Sequence, residues 1–156
     1  MNRMRTAKRA AYWILLGTIL HACSPSGEKR DQGIRDIDEL KTKQYAIEGQ
    51  QLYLTYCSNC HQEDGSGLAK LIPPLRSSDY MLSDIGRTIR LIKYGVAGEM
   101  TVNGQVYNQA MPGNPGLTPL EIAQLSTYIY NVWGHKKGIV STEQVNQALE
   151  NVTSPR

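Results

Sequence analysis

The sequence predicts an all-α fold, an orthogonal bundle of about three core helices with a short helix at its C-terminal end. Two observations carry this. Apolar residues recur at helical spacing in separate stretches, and one helix start is written out in full at Thr118-Pro119-Leu120-Glu121. The intervening loops hold Val and Tyr without sustained alternation, so almost no strand is expected. A chain of 156 residues leaves room for one such domain and a tail or two.

The first core helix is expected from about Gln44 to Tyr56. Tyr45, Gly49, Leu52, Tyr53 and Tyr56 form one stripe at i, i+4, i+7, i+8 and i+11. Gly49 costs the helix about 1 kcal/mol relative to Ala, so a close packing partner is expected there. The segment from Asp64 to Ser78 reads as loop, with Gly65, Gly67, Pro73 and Pro74. A second helix is expected from Ser83 to Tyr94, with Ile85, Ile89 and Ile92 on one face and Gly95 as its stop. A Gly-rich loop follows, carrying Met100 and Met111.

The third helix has Thr118 at its N-cap, Pro119 at N1 and Glu121 at N3, the residues of a capping box. Ile122, Leu125, Ile129 and Val132 make its apolar stripe, Tyr128 lies beside them, and Gly134 marks the stop. A last helix is expected from Ser141, with Gln144 at N3 and Val145, Ala148, Leu149 and Val152 on one face. That face either folds back on the domain, the reading preferred here, or docks on a partner.

The N-terminus reads as a targeting segment. A basic stretch, MNRMRTAKR, precedes the apolar run AAYWILLGTIL, which is too short to span a bilayer. Leu20-His21-Ala22-Cys23 then resembles the lipobox of bacterial lipoproteins, although His21 stands where a small or apolar residue is usual. Cleavage there would leave a lipid-bearing Cys23 as the first residue of the mature chain. The expected organisation is a signal peptide over 1–22, a lipidated N-terminus and flexible tether over 23–42, one folded domain over 43–137, and a tail with a short amphipathic helix over 138–156. Loss of Arg3, Arg5, Lys8 and Arg9 with the signal takes 17 basic residues to 13 against 14 acidic ones, and the net charge from +3 to −1. The chain has no clustered Lys/Arg patch, which speaks against a nucleic-acid partner.

The chemistry concentrates in Cys57-Ser58-Asn59-Cys60-His61. A redox disulfide usually sits in a βαβ setting, and no strand precedes Cys57. Zinc needs four ligands, and beyond these three only His135 and Cys23 are plausible, one in a polar turn and one consumed by lipid. A c-type haem needs two thiols and an adjacent imidazole. On one helical turn Cys57 and Cys60 are i, i+3 and Cys57 and His61 are i, i+4, so all three converge on one flat ligand. Cys-x-x-Cys-His is a specific signal for that attachment, and export from the cytoplasm agrees with it. One covalent haem c is the expected cofactor, with Cys57 and Cys60 as thioether sites and His61 as the proximal iron ligand.

The opposite iron position has four candidates, Met81, Met100, Met111 and His135. Met111 is favoured because Pro112 stiffens a Gly/Pro-rich loop just before the capped helix. Met100 is its rival, and Met81 reads as core.

GQQLYLTYCSNCH, IPPL, MPG and LTPLEIAQLSTYIYNVWG together resemble the class I mono-haem cytochromes c, over about residues 44–134. The resemblance implies a cytochrome c-like bundle around the haem. It places the proline whose carbonyl holds the proximal histidine on Pro73, and a haem-packing side chain on Leu75. It also implies that Gly49 and Tyr53 cross Leu125 and Tyr128. MTVNGQVYNQAMPG and YIYNVWGHKKG look closer to a bacterial subgroup found beside respiratory enzymes. Tyr94, Tyr107 and Trp133 could touch haem edges, though core or surface packing is the plainer reading.

Two strong axial ligands leave no open iron position, which points to a single-electron carrier rather than an enzyme. It would be lipid-anchored at the periplasmic face of a bacterial membrane, as a monomer or a complex subunit. It would pass electrons by small transient contacts between respiratory or denitrification-type partners. The alternatives are a haem enzyme or gas sensor with a labile distal ligand, and a fixed electron-entry subunit of an oxidoreductase.

Overall fold

A computed structural model describes residues 33–150. The signal peptide, Cys23 and Val152 lie outside the described residues. Helix α1 spans Leu40–Tyr56, so it starts earlier than the expected Gln44. The reason is a cap: the Glu39 carboxylate accepts from Lys41 N at 3.0 Å and Thr42 N at 2.6 Å. The tether expected up to residue 42 is corrected with it. Ile34 and Ile37 are 7% and 8% exposed and belong to the main core, so the folded domain already includes residues 33–42. Two isoleucines in a polar stretch do not move its average composition, yet spaced i, i+3 they bury together.

The buried stripe of α1 is Thr42, Ala46, Gly49, Gln50 and Tyr53, rotated from the expected one. The line of closest approach runs through Gly49. A Cβ built there would lie 2.0 Å from Gln124 O and 2.8 Å from Tyr128 Cβ. Small and polar residues therefore fit beneath the crossing, while Tyr45 and Leu52 pack at its edge and Tyr56 is exposed. The crossing helix is α5, described below. Tyr53 meets Tyr128 on it, with ring centroids 5.4 Å apart.

After α1 come a single turn, α2 (Ser58–His61), and the helices α3 (Asp79–Ser83) and α4 (Ile85–Tyr94). One helix was expected from Ser83. The chain instead breaks at Asp84, whose backbone is extended and whose carboxylate caps α4 by accepting from Arg87 N at 2.9 Å. Ser78 caps α3 in the same way, accepting from Met81 N at 3.1 Å. Ile89 and Ile92 of α4 are buried, and Gly95 ends the helix with φ +75°.

The following loop holds more strand than expected. Strands β2 (Met100–Val102) and β3 (Gln105–Tyr107) form a hairpin, and β1 (Gly95–Val96) pairs antiparallel with β4 (Met111–Pro112). The hairpin turn is Asn103-Gly104, with φ +52° and +75°. This dipeptide is the favoured one where both turn residues need positive φ. Asp79 and Asn103 each accept the other's backbone N–H, at 2.7 and 3.0 Å respectively, and tie the hairpin to α3.

Helix α5 (Pro119–Ile129) carries the full capping box. Glu121 N donates to Thr118 Oγ1 at 3.3 Å, and Thr118 N donates to Glu121 Oε2 at 2.7 Å. The chain then turns through Asn131, whose amide bonds Thr127 O and Gly138 O at 2.7 Å each. This return leads into α6 (Thr142–Glu150), capped reciprocally by Ser141 and Gln144. Val145 and Ala148 of α6 are buried against α4 and α5, so the tail folds back on the domain. The architecture is all-α apart from the two short ladders.

Candidate haem site

The site begins where α1 stops. Cys57 N still donates to Tyr53 O at 2.9 Å, and Cys60 N and His61 N both turn back to Cys57 O, at 3.1 and 2.9 Å. One turn thus brings Cys57, Cys60 and His61 to the wall of a single cleft. Cys60 is exposed at the rim, Cys57 is half-buried, and His61 is 8% exposed. Among the described residues, no group of three or more His, Cys, Asp or Glu is arranged to hold a metal ion.

His61 Nδ1 lies 3.0 Å from Pro73 O and donates its N–H there, which leaves Nε2 as the nitrogen with a free lone pair. Burial lowers the His61 pKa against the opposing pull of that bond, which favours the neutral ring that can coordinate. The carbonyl is itself positioned by tight backbone packing. Gly67, at φ +71°, approaches so closely that an added Cβ would lie 2.4 Å from Ile72 O and 2.8 Å from Pro73 O. Gly67 N donates to His61 O at 3.0 Å, and Gly65 O accepts from Leu75 N at 2.9 Å. Gly65 in turn lies under the Trp133 ring, 2.8 Å from where its Cβ would be. The sequence marks these glycines as loop, and their role in aiming Pro73 depends on contacts that no local pattern records.

Three of the four distal candidates line the cleft: Met81, Met100 and Met111. His135 does not; its Nε2 faces Ser77 N at 3.4 Å. Met81 is 3% exposed within α3 and belongs to the core. Met100 lies in the β2–β3 hairpin. Met111 pairs with Val96 in the β1–β4 ladder, and its loop is clamped on the end of α4. Asn114 N donates to Ile92 O at 2.9 Å, and Lys93 Nζ donates to Pro115 O and Leu117 O at 2.7 and 2.8 Å. Gly95 and Gly113 permit the contact, since a Cβ on either would fall 2.4 Å from backbone of the other segment. Of the three, Met111 is the thioether whose loop is clamped on the end of α4.

Leu75 lines the cleft beside Pro73. Tyr94, Tyr107 and Trp133 do not: Tyr94 is 57% exposed, Tyr107 is buried on β3, and Trp133 packs edge-on to Tyr53 and Tyr128. Tyr56 and Tyr80 line it instead, and sequence reading did not assign them there. Tyr80 is braced from behind by Arg87, whose guanidinium lies 3.8 Å over its ring.

The rest of the lining is mainly apolar, including Ile72, Leu91, Val102, Leu125 and Ile129. Atom-free space in the cleft, counted out into the solvent at its open mouth, is about 1120 Å³. Such a space accepts a large apolar ligand, and Cys57, Cys60, His61 and the candidate thioethers all stand on its lining. The class this defines is the c-type haem protein. A family model, Cytochrome c, matches residues 46–133, and the chain belongs to that family.

Relatives bear the same stamp. Cytochrome c-552 of Thermus thermophilus is 31% identical over 96 residues, covering 59% of this chain and 72% of that protein. The cytochrome c subunit of an alcohol dehydrogenase (quinone) from Gluconobacter oxydans is 28% identical over 110 residues, 69% of this chain and 23% of that subunit. The cbb3-type cytochrome c oxidase subunit CcoP of Rhodobacter capsulatus is 29% identical over 100 residues, 62% of this chain and 31% of the subunit. The match thus spans only a part of these two longer subunits. The protein is a class I mono-haem cytochrome c with covalently bound haem c, and it works by haem-based electron transfer.

Proposed function

We propose that this cytochrome is a single-electron carrier with His61 and Met111 as axial ligands and Cys57 and Cys60 as thioether sites. In this reading it is held at the periplasmic face of a membrane by lipid on Cys23. Its partners are respiratory or denitrification-type redox proteins. The observation that carries the ligation is the pairing of a carbonyl-held His61 with a clamped Met111 on walls of one cleft. When bound, the haem supplies a one-electron ferrous/ferric couple. The protein holds the imidazole in one tautomer through Pro73, ties the thioether through the β1–β4 ladder and surrounds both with apolar side chains. Relatives named as subunits of a quinone-linked dehydrogenase and of an oxidase support respiratory partners on either side.

The test is spectroscopic. The ferric protein is expected to show the weak far-red thioether–iron band, and Met111→Ala to abolish it while Met100→Ala retains it. The reduced protein is expected to ignore carbon monoxide at neutral pH. A rapid carbon monoxide shift in the unsubstituted protein would sink the carrier reading in favour of a haem enzyme or gas sensor.

A further inference from the structure

The segment that carries Met111 is held by different means at its two ends. On the N-terminal side, Met111 and Pro112 lie in the β1–β4 ladder opposite Val96 and Gly95. That ladder is two residue pairs long, and a ribbon so short holds little on its own. On the C-terminal side, the chain turns through Asn114-Pro115-Gly116-Leu117, closed by Leu117 N donating to Asn114 O at 3.1 Å. The tip of this turn is not wedged by packing, since a Cβ placed on Gly116 would meet nothing within 4 Å. What fixes the tip is Lys93. Its ammonium donates to Pro115 O at 2.7 Å and Leu117 O at 2.8 Å, the carbonyls on either side of Gly116. Such charge-assisted bonds are stronger than neutral ones. Lys93 stands in the last turn of α4, where the helix end also favours a cation. It does not line the cleft, whereas Ile92, Met111, Pro112 and Asn114 do. Any effect it has on the cleft therefore passes through the loop.

We infer that Lys93 is a positioning residue for the distal ligand. By holding the Pro115–Leu117 turn against α4, it keeps the Met111 thioether on the iron and sets how readily another small ligand displaces it. This inference rests on the His61/Met111 ligation proposed above. A loop fixed at both ends presents its thioether at high effective concentration. Releasing one end raises the fraction of molecules in which the thioether is away from the iron. A competing ligand binds only that fraction, so its apparent affinity rises by the same factor.

The experiment is an imidazole titration of the ferric holoprotein at neutral pH, followed by loss of the far-red thioether–iron band. The native chain is compared with Lys93→Met, Lys93→Arg and Ser141→Ala. Lys93→Met keeps the long stem and removes the donors. It is expected to bind imidazole about tenfold more tightly than the native protein, which corresponds to about 1.4 kcal/mol. Lys93→Arg restores cationic donors and is expected to return the affinity to within about threefold of native. Ser141→Ala removes the cap of α6, remote from the cleft lining. It should lower resistance to denaturant and leave the imidazole affinity at the native value. Native affinity in Lys93→Met, no recovery in Lys93→Arg, or an equal rise in Ser141→Ala overturns the inference, the last by showing general loosening instead of a local hold. If Lys93→Met does not retain haem, Lys93→Gln is read in its place against the same expectations. A native protein without the far-red band, or a band that survives in Met111→Ala, overturns the ligation reading and the inference with it.

Discussion

At the scale of single residues, the site depends on where one carbonyl points. Pro73 O can accept from His61 only because Gly67 passes within a distance that excludes any side chain. Gly67→Ala therefore carries two penalties, a positive φ and a collision with Ile72 O. It is expected to destabilise the holoprotein by about 1–3 kcal/mol. It should also displace the Pro73 carbonyl and weaken its hold on the imidazole. A less basic imidazole favours ferric iron less, so the reduction potential should rise. Thermal melting and redox titration of the same sample check both parts; an unchanged potential would mean Pro73 does not tune the ligand. The cysteine–histidine triplet was legible in the sequence because its members are adjacent and its spacing is chemical. Gly67 was legible only as a loop residue, because what it touches lies across a turn. Met111 is preferred to Met100 in the sequence on the Pro112 loop, whereas the clamp on that loop, made by Ile92, Lys93 and Gly95, belongs to another element and no local pattern records it.

At the scale of elements, local capping patterns were legible and tertiary registers were not. The box at Thr118 and Glu121 is complete within four residues, so its hydrogen bonds follow from sequence. The Asn103-Gly104 turn was equally local, and the hairpin it makes was there to be read. Gly49 marked where α5 crosses, but the rest of the rotated α1 stripe was not legible, because Thr42, Ala46 and Gln50 are small or polar and an apolar pattern passes over them. The capping box makes a prediction of its own. Thr118→Ala should cost about 1 kcal/mol by chemical denaturation of the holoprotein. Glu121 is held below its ordinary pKa, first by the Thr118 backbone bond and then by the Thr118 side chain. The folded state therefore binds its proton less readily than the unfolded state. Its contribution is complete above the ordinary glutamate value of about 4.3 and is lost as pH falls through the lowered folded value. In Glu121→Gln that part of the acid dependence should disappear. An identical acid profile in the two proteins would show the box to be energetically silent.

At the scale of the whole molecule, both ends of the described chain close over the bundle. Residues 33–39 add Ile34 and Ile37 to the core, and the C-terminal return adds Val140, Val145 and Ala148. The return is fixed by polar bonds as well as burial. Asn131 holds both backbone groups of Gly138, and Thr127 Oγ1 exchanges bonds with Val140, accepting from its N–H at 3.0 Å. Such a segment is a wall of the domain rather than a free docking arm, and truncation tests the difference. Ending the chain after Gly138 removes Val140 and Val145, 2% and 0% exposed, and uncovers apolar surface on α4 and α5. Each buried valine contributes about 1.5–3 kcal/mol, partly offset by the chain entropy regained. A net loss of about 2–4 kcal/mol is expected, lowering Tm by about 10 °C or more for a domain of this size. The cleft is lined by none of residues 138–150. The haem spectrum, the far-red band and the reduction rate at room temperature should therefore be unaffected. An unchanged Tm with lost association to a membrane complex would instead make the C-terminal helix a partner contact, and the protein a fixed subunit rather than a carrier.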